Sequence, residues 1–234
     1  MTKETPVDML EMDLSHGGGD DWQVTPHGRF LGEMLAENNL VEGSDVLELG
    51  AGLGNHTILL ARQKAAKILA TEIHESFLDS TKKNFAQNCP DFDAIRYEVA
   101  DWLTGHSKHD VIVTNPPFAK SGKQNRRYYI DSLILDGHKR LNPGGRLVFI
   151  QSSMADIERT KRTLDQNGFD HRIVGTTQNP FRSYYFEDET FMAEIREIEN
   201  GFEMRGEEYW ETLFVIEATL RAWSPPEGAH LPPA

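Results

Sequence analysis

The tetrapeptide Asn115-Pro116-Pro117-Phe118 holds the residue types best suited to chemistry. Its adjacent prolines restrain the backbone and remove two amide donors, leaving the Pro116 carbonyl open as an acceptor. The Asn115 side-chain carbonyl is a second acceptor. Two convergent acceptors suit an NH2 group, which they would hold with its lone pair aimed at an electrophile. Phe118 can pack on a planar substrate, with Pro117 beside it. The bland alternative is a strand that simply ends in a Pro-Pro turn.

A second constellation precedes it. Glu48-Leu49-Gly50-Ala51-Gly52-Leu53-Gly54 follows an apolar run, and its glycines let the chain turn tightly and approach a ligand at the end of a strand. Glu72 closes the next apolar run, where its carboxylate could accept from both hydroxyls of a ribose. Asp101 closes a third run, placed to accept from an exocyclic amino group on adenine, with Trp102 available for packing. Taken singly, each acid reads as a surface or capping residue. With the glycine turn they outline an adenosine site. Asn55 and His56 follow Gly54, so the full GxGxxG fingerprint is absent and a ligand lacking pyrophosphate fits better.

These residues need strands to carry them. A helix with apolar positions Phe30, Leu31, Met34 and Leu35 is expected over 27–39, opened by Pro26. Strands are expected at DVLELG (45–50), KILATEI (67–73), AIRYEVA (94–100), DVIVTN (110–115), RLVFIQS, DHRIVGTTQ and ETLFVIEATL (211–220). Helices fall between them at HTILLARQ, around Phe77, Leu78 and Phe85, from about 127 to 141, and at IERTKRTLDQNGF, with Asn142-Pro143-Gly144-Gly145 read as a turn. Strands alternating with helices predict an α/β fold with an open, mainly parallel sheet covered on both faces. Residues 1–23 read as a flexible arm, 24–220 as the domain and 221–234 as an extended tail. A segment at about 179–210 is long for a bare connection and is expected to form a substrate cover or a homodimer contact.

With both constellations in place, the sequence resembles the class I S-adenosylmethionine methyltransferases, and within them the amino-methylating group that includes release-factor glutamine methyltransferases. VLELGAGLG is similar to the family's cofactor motif, with Glu48 at its acidic position and Gly50, Gly52 and Gly54 as its glycines. Glu72 and Asp101 sit at the ribose and adenine acids, and NPPF at the catalytic motif, where Asn115 would also border the cofactor. VTPHGRFL, containing Thr25, resembles the segment lying over the cofactor's methionine part. The resemblance implies a Rossmann-like fold with seven strands, S-adenosyl-L-methionine as cofactor, and N-methylation of an amino, amide or guanidino nitrogen. The chain departs from the family in two respects. Residues 1–23, ahead of the domain, are expected to leave no room for the helical domain that precedes bacterial release-factor enzymes, and only the 179–210 segment is expected to serve as a target-recognition region.

Charge bears on the substrate. Lys and Arg total 24 against 37 Asp and Glu, a net charge of −13 that repels polyanions on average. Nucleic acid is therefore the less favoured partner, although Lys120, Lys123, Arg126, Arg127, Lys139 and Arg140 could form a local basic patch. A small molecule or a protein side chain is preferred. In the late segment Phe181, Tyr184, Tyr185 and Phe186 could close a substrate pocket, and Arg182 could neutralise a carboxylate; packing onto the sheet edge is the alternative. His27 and His56 are candidate proton acceptors, with packing or capping favoured for His56. No metal-ligand spacing occurs among the histidines. The single cysteine, Cys89, and the absence of a long apolar window suggest a reducing, cytoplasmic setting without a membrane span. Three other functions stay open: a nucleic-acid base N-methyltransferase, an enzyme attacking another carbon of the sulfonium cofactor, and a non-catalytic cofactor-binding subunit.

Overall fold

The computed structural model describes Met12, Leu14, residues 25–117 and residues 127–221. Apart from Met12, Leu14 and Arg221, the expected arm and tail lie outside the described residues, as do Phe118 and the basic positions Lys120, Lys123 and Arg126.

The apolar runs form strands β1 (Asp45–Leu49), β2 (Lys67–Glu72), β3 (Ile95–Val99), β4 (His109–Thr114), β5 (Leu141–Ser152), β6 (Phe169–Pro180), β7 (Glu203–Arg205) and β8 (Glu208–Leu220). Helices α1 (Pro26–Glu37), α2 (Asn55–Arg62), α3 (Glu75–Asn88), α4 (Tyr128–Asp136), α5 (Ile157–Gln166) and α6 (Glu189–Arg196) connect them. The sheet order is β3-β2-β1-β4-β5-β8-β6, with the short β7 paired to β8 alone. Pairings from β3 through β5 are parallel, whereas β8 runs antiparallel to both β5 and β6.

Alternation along the central strands divides the core between two faces. Val46, Val111 and Val113 turn one way, against Leu31 and Leu35 of α1, Ile58 of α2 and Phe85 of α3. Leu47, Leu49 and Ile112 turn the other way, against Leu133 and Ile134 of α4 and Leu164 of α5. Both faces are thereby covered, as buried parallel strands require.

Two expectations change in detail. The predicted helix over 127–141 ends as a short 3-10 turn, Gly137–Arg140. Asn142–Gly145, read as a turn, lies within β5, where the register with β4 shifts between His109↔Leu141 and Val111↔Arg146. The Asn142 side chain donates to Asp110 at 2.8 Å and pins the irregular stretch to β4.

The late segment builds a small core of its own. Phe191, Met192 and Ile195 of α6 pack with Met154 and Tyr185. At the opposite, amino-terminal edge, the buried His109 ring donates from Nδ1 to Asp45 at 2.7 Å and pairs through Nε2 with Ser107 at 2.9 Å.

Candidate active site

The strand order reverses at β1, which has β2 on one side and β4 on the other. Ligands of open α/β sheets bind above the carboxyl ends of the strands at such a point. There the chain turns through Gly50, Gly52 and Gly54, all at positive φ. A Cβ on Gly52 would meet nothing within 4 Å, so the turn presents bare backbone to open space. Gly54 faces inward instead: a Cβ would stand 3.1 Å from Thr81 Cγ2, and its φ of 88° caps α2. Two polar side chains from α3 brace the turn from below, Thr81 Oγ1 donating to Gly52 O at 2.8 Å and Asn84 Nδ2 to Leu53 O at 2.9 Å. Neither was read as a site residue. The signal in the sequence is two polar residues, Thr81 and Asn84, at helical spacing with Leu78 and Phe85 on what becomes the buried face of α3.

Glu72 Oε2 accepts from Gly52 N at 3.0 Å and Oε1 from Ile73 N at 2.8 Å. Each oxygen keeps a lone pair for a further donor such as a diol. Ile73, also missed, is 51% exposed beside it and offers an apolar surface to a flat ring. Asp101 is exposed after β3. Next to it a cleft of about 480 Å³ is lined by Trp102, Tyr128 and Arg140, among others. Trp102 is held there by an Nε1 bond to Ser132 at 2.8 Å and by edge contact with Tyr129.

Glu48 is fully buried beneath the turn. Its Oε2 accepts from Thr57 Oγ1 at 2.5 Å, and its Oε1 has no hydrogen-bond partner among the described residues. Burial, with a smaller push from the charge of Glu72, raises its carboxyl to about 7, against the hydrogen bond from Thr57. Placed by resemblance in the cofactor motif, Glu48 is only 1% exposed and lies under the turn, not on its ligand-facing surface.

The Asn-Pro pair stands beside the glycines. Leu49 of β1 pairs with Thr114 of β4, and Thr114 Oγ1 donates to Leu49 O at 3.0 Å. Gly50 and Asn115 are the next residues on these neighbours, whose strands lie roughly 5 Å apart. Asn115 is half-buried, Pro116 buried and Pro117 exposed.

Thr25 caps α1, accepting from Gly28 N at 3.1 Å. His56 is no proton acceptor for substrate: its Nε2 is tied to Gly28 O at 2.8 Å, and burial lowers its pKa, which keeps the ring neutral. His27 lies between Arg182, whose Nη2 donates to its Nδ1 at 3.1 Å, and Glu211, whose Oε2 is 3.5 Å from its Nε2. Glu211, missed by sequence reasoning, is 1% exposed. Tyr185 is corrected from pocket wall to core. It is 2% exposed, its hydroxyl points to Glu211 at 3.3 Å, and burial pushes its pKa upward. Phe181, Arg182 and Tyr184 stay half-buried, and Phe186 is exposed.

For the expected basic patch, two of its described members are corrected. Arg127 is buried, paired with Asp131 and donating to the carbonyls of Ala155 and Asp156. Arg140 is buried against the carbonyls of Leu103, Thr104 and Ser107, and Lys139 pairs with Asp136. Arg127 and Arg140 serve the fold, and Lys139 stays exposed.

The methyltransferase small domain family matches residues 24–181, a span that holds the glycine turn, both outlying acids and the Asn-Pro pair. The chain belongs to this family. One relative, in Methanocaldococcus jannaschii, is named "Putative protein N5-glutamine methyltransferase"; it is 29% identical over 165 residues, covering 63% of this chain and 83% of its own. The tRNA1(Val) (adenine(37)-N6)-methyltransferase of Glaesserella parasuis is 30% identical over 158 residues, covering 62% of this chain and 64% of its own. The fold is shared with magnesium protoporphyrin IX methyltransferase of Synechocystis PCC 6803, solved with bound S-adenosylmethionine, at TM-score 0.55 and 16% identity, covering 87% of this chain and 86% of that one. The chain is an S-adenosylmethionine-dependent methyltransferase. The site suits that cofactor: open space lies over Gly52, Glu72 retains acceptor capacity, and Glu48, whose Oε1 has no partner among the described residues, lies beneath the turn for a ligand of net positive charge. Among the described residues no helix is long and apolar enough to cross a membrane, and no group of His, Cys, Asp or Glu is arranged to hold a metal ion.

Proposed function

We propose that this methyltransferase acts on an amide, amine or guanidino nitrogen of a small molecule or a protein side chain. The observation that carries the reading is the pairing of Leu49 with Thr114, which sets Asn115-Pro116 next to the glycine turn. Asn115 Oδ1 and the Pro116 carbonyl accept the two hydrogens of the incoming NH2 group and fix its lone pair toward the cofactor side. S-adenosylmethionine supplies a methyl group activated by positive sulfur. The rest of the work is orientation, so the polar groups need only be held in place beforehand. The buried Pro116 and the Thr114 tie to β1 supply that rigidity. The transferred methyl makes the nitrogen more acidic, and its proton can leave afterwards without a strong base. Glu72 and Asp101 hold ribose and adenine, and Ile73 packs on the purine.

Exposed acids such as Glu187, Glu189, Glu194, Glu197 and Glu199 in the late segment, and the structural engagement of Arg127 and Arg140, favour a small or protein substrate over a polynucleotide. The test is incubation with S-adenosylmethionine and, in parallel, a small-molecule extract, a glutamine-containing peptide panel and tRNA. The expected product is one methyl group heavier on nitrogen, with matching S-adenosylhomocysteine. Methylation of carbon or oxygen, or of tRNA adenine alone, defeats the reading. With the cofactor at saturation, Asn115→Ala should lose turnover by about 100-fold; full turnover in that variant would remove Asn115 from the mechanism.

A further inference from the structure

Arg182 differs from most of the engaged arginines, sharing with Arg140 the absence of a carboxylate partner among the described residues but, unlike Arg140, lying only half-buried. In this acid-rich chain Arg127, Arg146, Arg159, Arg172 and Arg221 each reach a carboxylate. Arg182 is half-buried, yet no carboxylate lies within ion-pair distance of it among the described residues. Its two hydrogen bonds go to neutral acceptors, Nη1 to the Tyr184 hydroxyl at 3.0 Å and Nη2 to His27 Nδ1 at 3.1 Å. A guanidinium has five N–H donors, so among the described residues three are left over.

The direction of these bonds determines the rest of the cluster. Because His27 Nδ1 accepts from Arg182, the neutral ring carries its proton on Nε2, the nitrogen 3.5 Å from Glu211 Oε2. Glu211 is 1% exposed, and that oxygen has no hydrogen-bond partner. The buried carboxylate therefore favours a cation at Arg182 electrostatically while using none of its donors, since the imidazole stands between them.

The cluster lies at the reactive edge of the sheet. Glu211 on β8 pairs with Asn179 near the carboxyl end of β6, the same edge as the ends of β1 and β4. His27 is in the first turn of α1, and the next residue, Gly28, accepts from His56 just after the glycine turn. One turn of helix thus stands between the cofactor loop and Arg182. The half-buried Tyr184 ring lies beside the guanidinium, its centroid 5.7 Å from Cζ, and exposed acids surround the segment, a field that favours a compact ligand with a single anionic group over a polyphosphate.

Resting on the N-methyltransferase reading, we propose that Arg182 is the anchor for a carboxylate on the acceptor, so that the substrate is a small nitrogen-bearing carboxylic acid. His27 and Tyr184 aim the guanidinium, and Glu211 supports its charge. The guanidinium fork binds the two carboxylate oxygens side by side.

The test uses wild type, Arg182→Gln and Arg182→Lys, each saturated with S-adenosylhomocysteine, equilibrated with a small-molecule extract and analysed by mass spectrometry of the retained ligands. Cofactor affinity and melting temperature are measured alongside and should not change. The proposal expects wild type to retain nitrogen-bearing carboxylic acids, with retention falling at least about tenfold in Arg182→Gln and partly in Arg182→Lys, which keeps the charge but not the fork. Retention of phosphate esters instead, retention equal in all three proteins, or no retention at all overturns it. The same ligands are then offered with S-adenosylmethionine. Retained acids that are never methylated sink the N-methylation reading and leave the anchor standing, whereas N-methylation that is indifferent to Arg182→Gln does the reverse.

Discussion

Glu48→Gln should make the protein more stable at neutral pH while weakening its hold on the cofactor. The Glu48 carboxyl is raised from an ordinary 4.5 to about 7, chiefly by burial. Between these values the folded state keeps a proton that the unfolded chain has lost, so stability falls with rising pH and levels off above about 7. With one unit worth about 1.4 kcal/mol, the loss attributable to this group between pH 5 and pH 8 is about 2.5 kcal/mol. Gln keeps an oxygen to accept from Thr57 and has no charge to desolvate. The assay is urea unfolding of both proteins without ligand at several pH values, the difference between them cancelling the other acids. The variant's advantage should grow by about 2.5 kcal/mol from pH 5 to pH 8. Calorimetry at pH 8 should show the variant binding S-adenosylmethionine more weakly, because the charge under the turn is gone. A difference that stays flat across the pH range would falsify the idea that this carboxylate is buried at a cost.

Gly54→Ala combines a left-handed backbone with a Cβ 3.1 Å from Thr81 Cγ2, and should lower stability by about 1–3 kcal/mol and loosen the turn, read as a drop in both urea midpoint and cofactor affinity. His109→Ala removes a buried ring bonded to Asp45 and Ser107 at the edge away from the site; it should cost about 2–4 kcal/mol yet leave turnover per folded molecule unchanged. An altered KM in that variant would mean that the two edges communicate. Phe191→Ala should destabilise by about 3–5 kcal/mol, since the ring is 1% exposed in the small core of the late segment.

The central architecture was legible because its signals are local. Short apolar runs such as DVLEL and HDVIVT, bounded by turn residues, read as strands buried on both faces, and glycines at 50, 52 and 54 mark a turn that needs positive φ. The Asn-Pro pair was readable for the same reason: prolines restrict their own backbone whatever surrounds them. Strand pairing then placed Asn115 beside Gly50, a relation between residues far apart in the chain.

Burial and long-range company were decided by the tertiary structure alone. Arg127 and Arg140 read as surface cations until α5 and the carbonyls of the 103–107 stretch enclosed them. Tyr185 and Tyr184 are neighbours of one chemical type, but one is core and the other is half-exposed, because the 3-10 turn at Ser183–Tyr185 sends only one ring under α6. The Arg182, His27 and Glu211 cluster draws on α1, the late segment and β8, and it exists because β8 runs antiparallel between β5 and β6 and returns its amino-terminal end to the reactive edge. The sequence by itself determined which residues could bend the backbone or bury a face, since those properties belong to a residue and its near neighbours. Which charges lie near one another, and how far each is removed from water, depends on segments distant in sequence, and only the folded sheet brings those together.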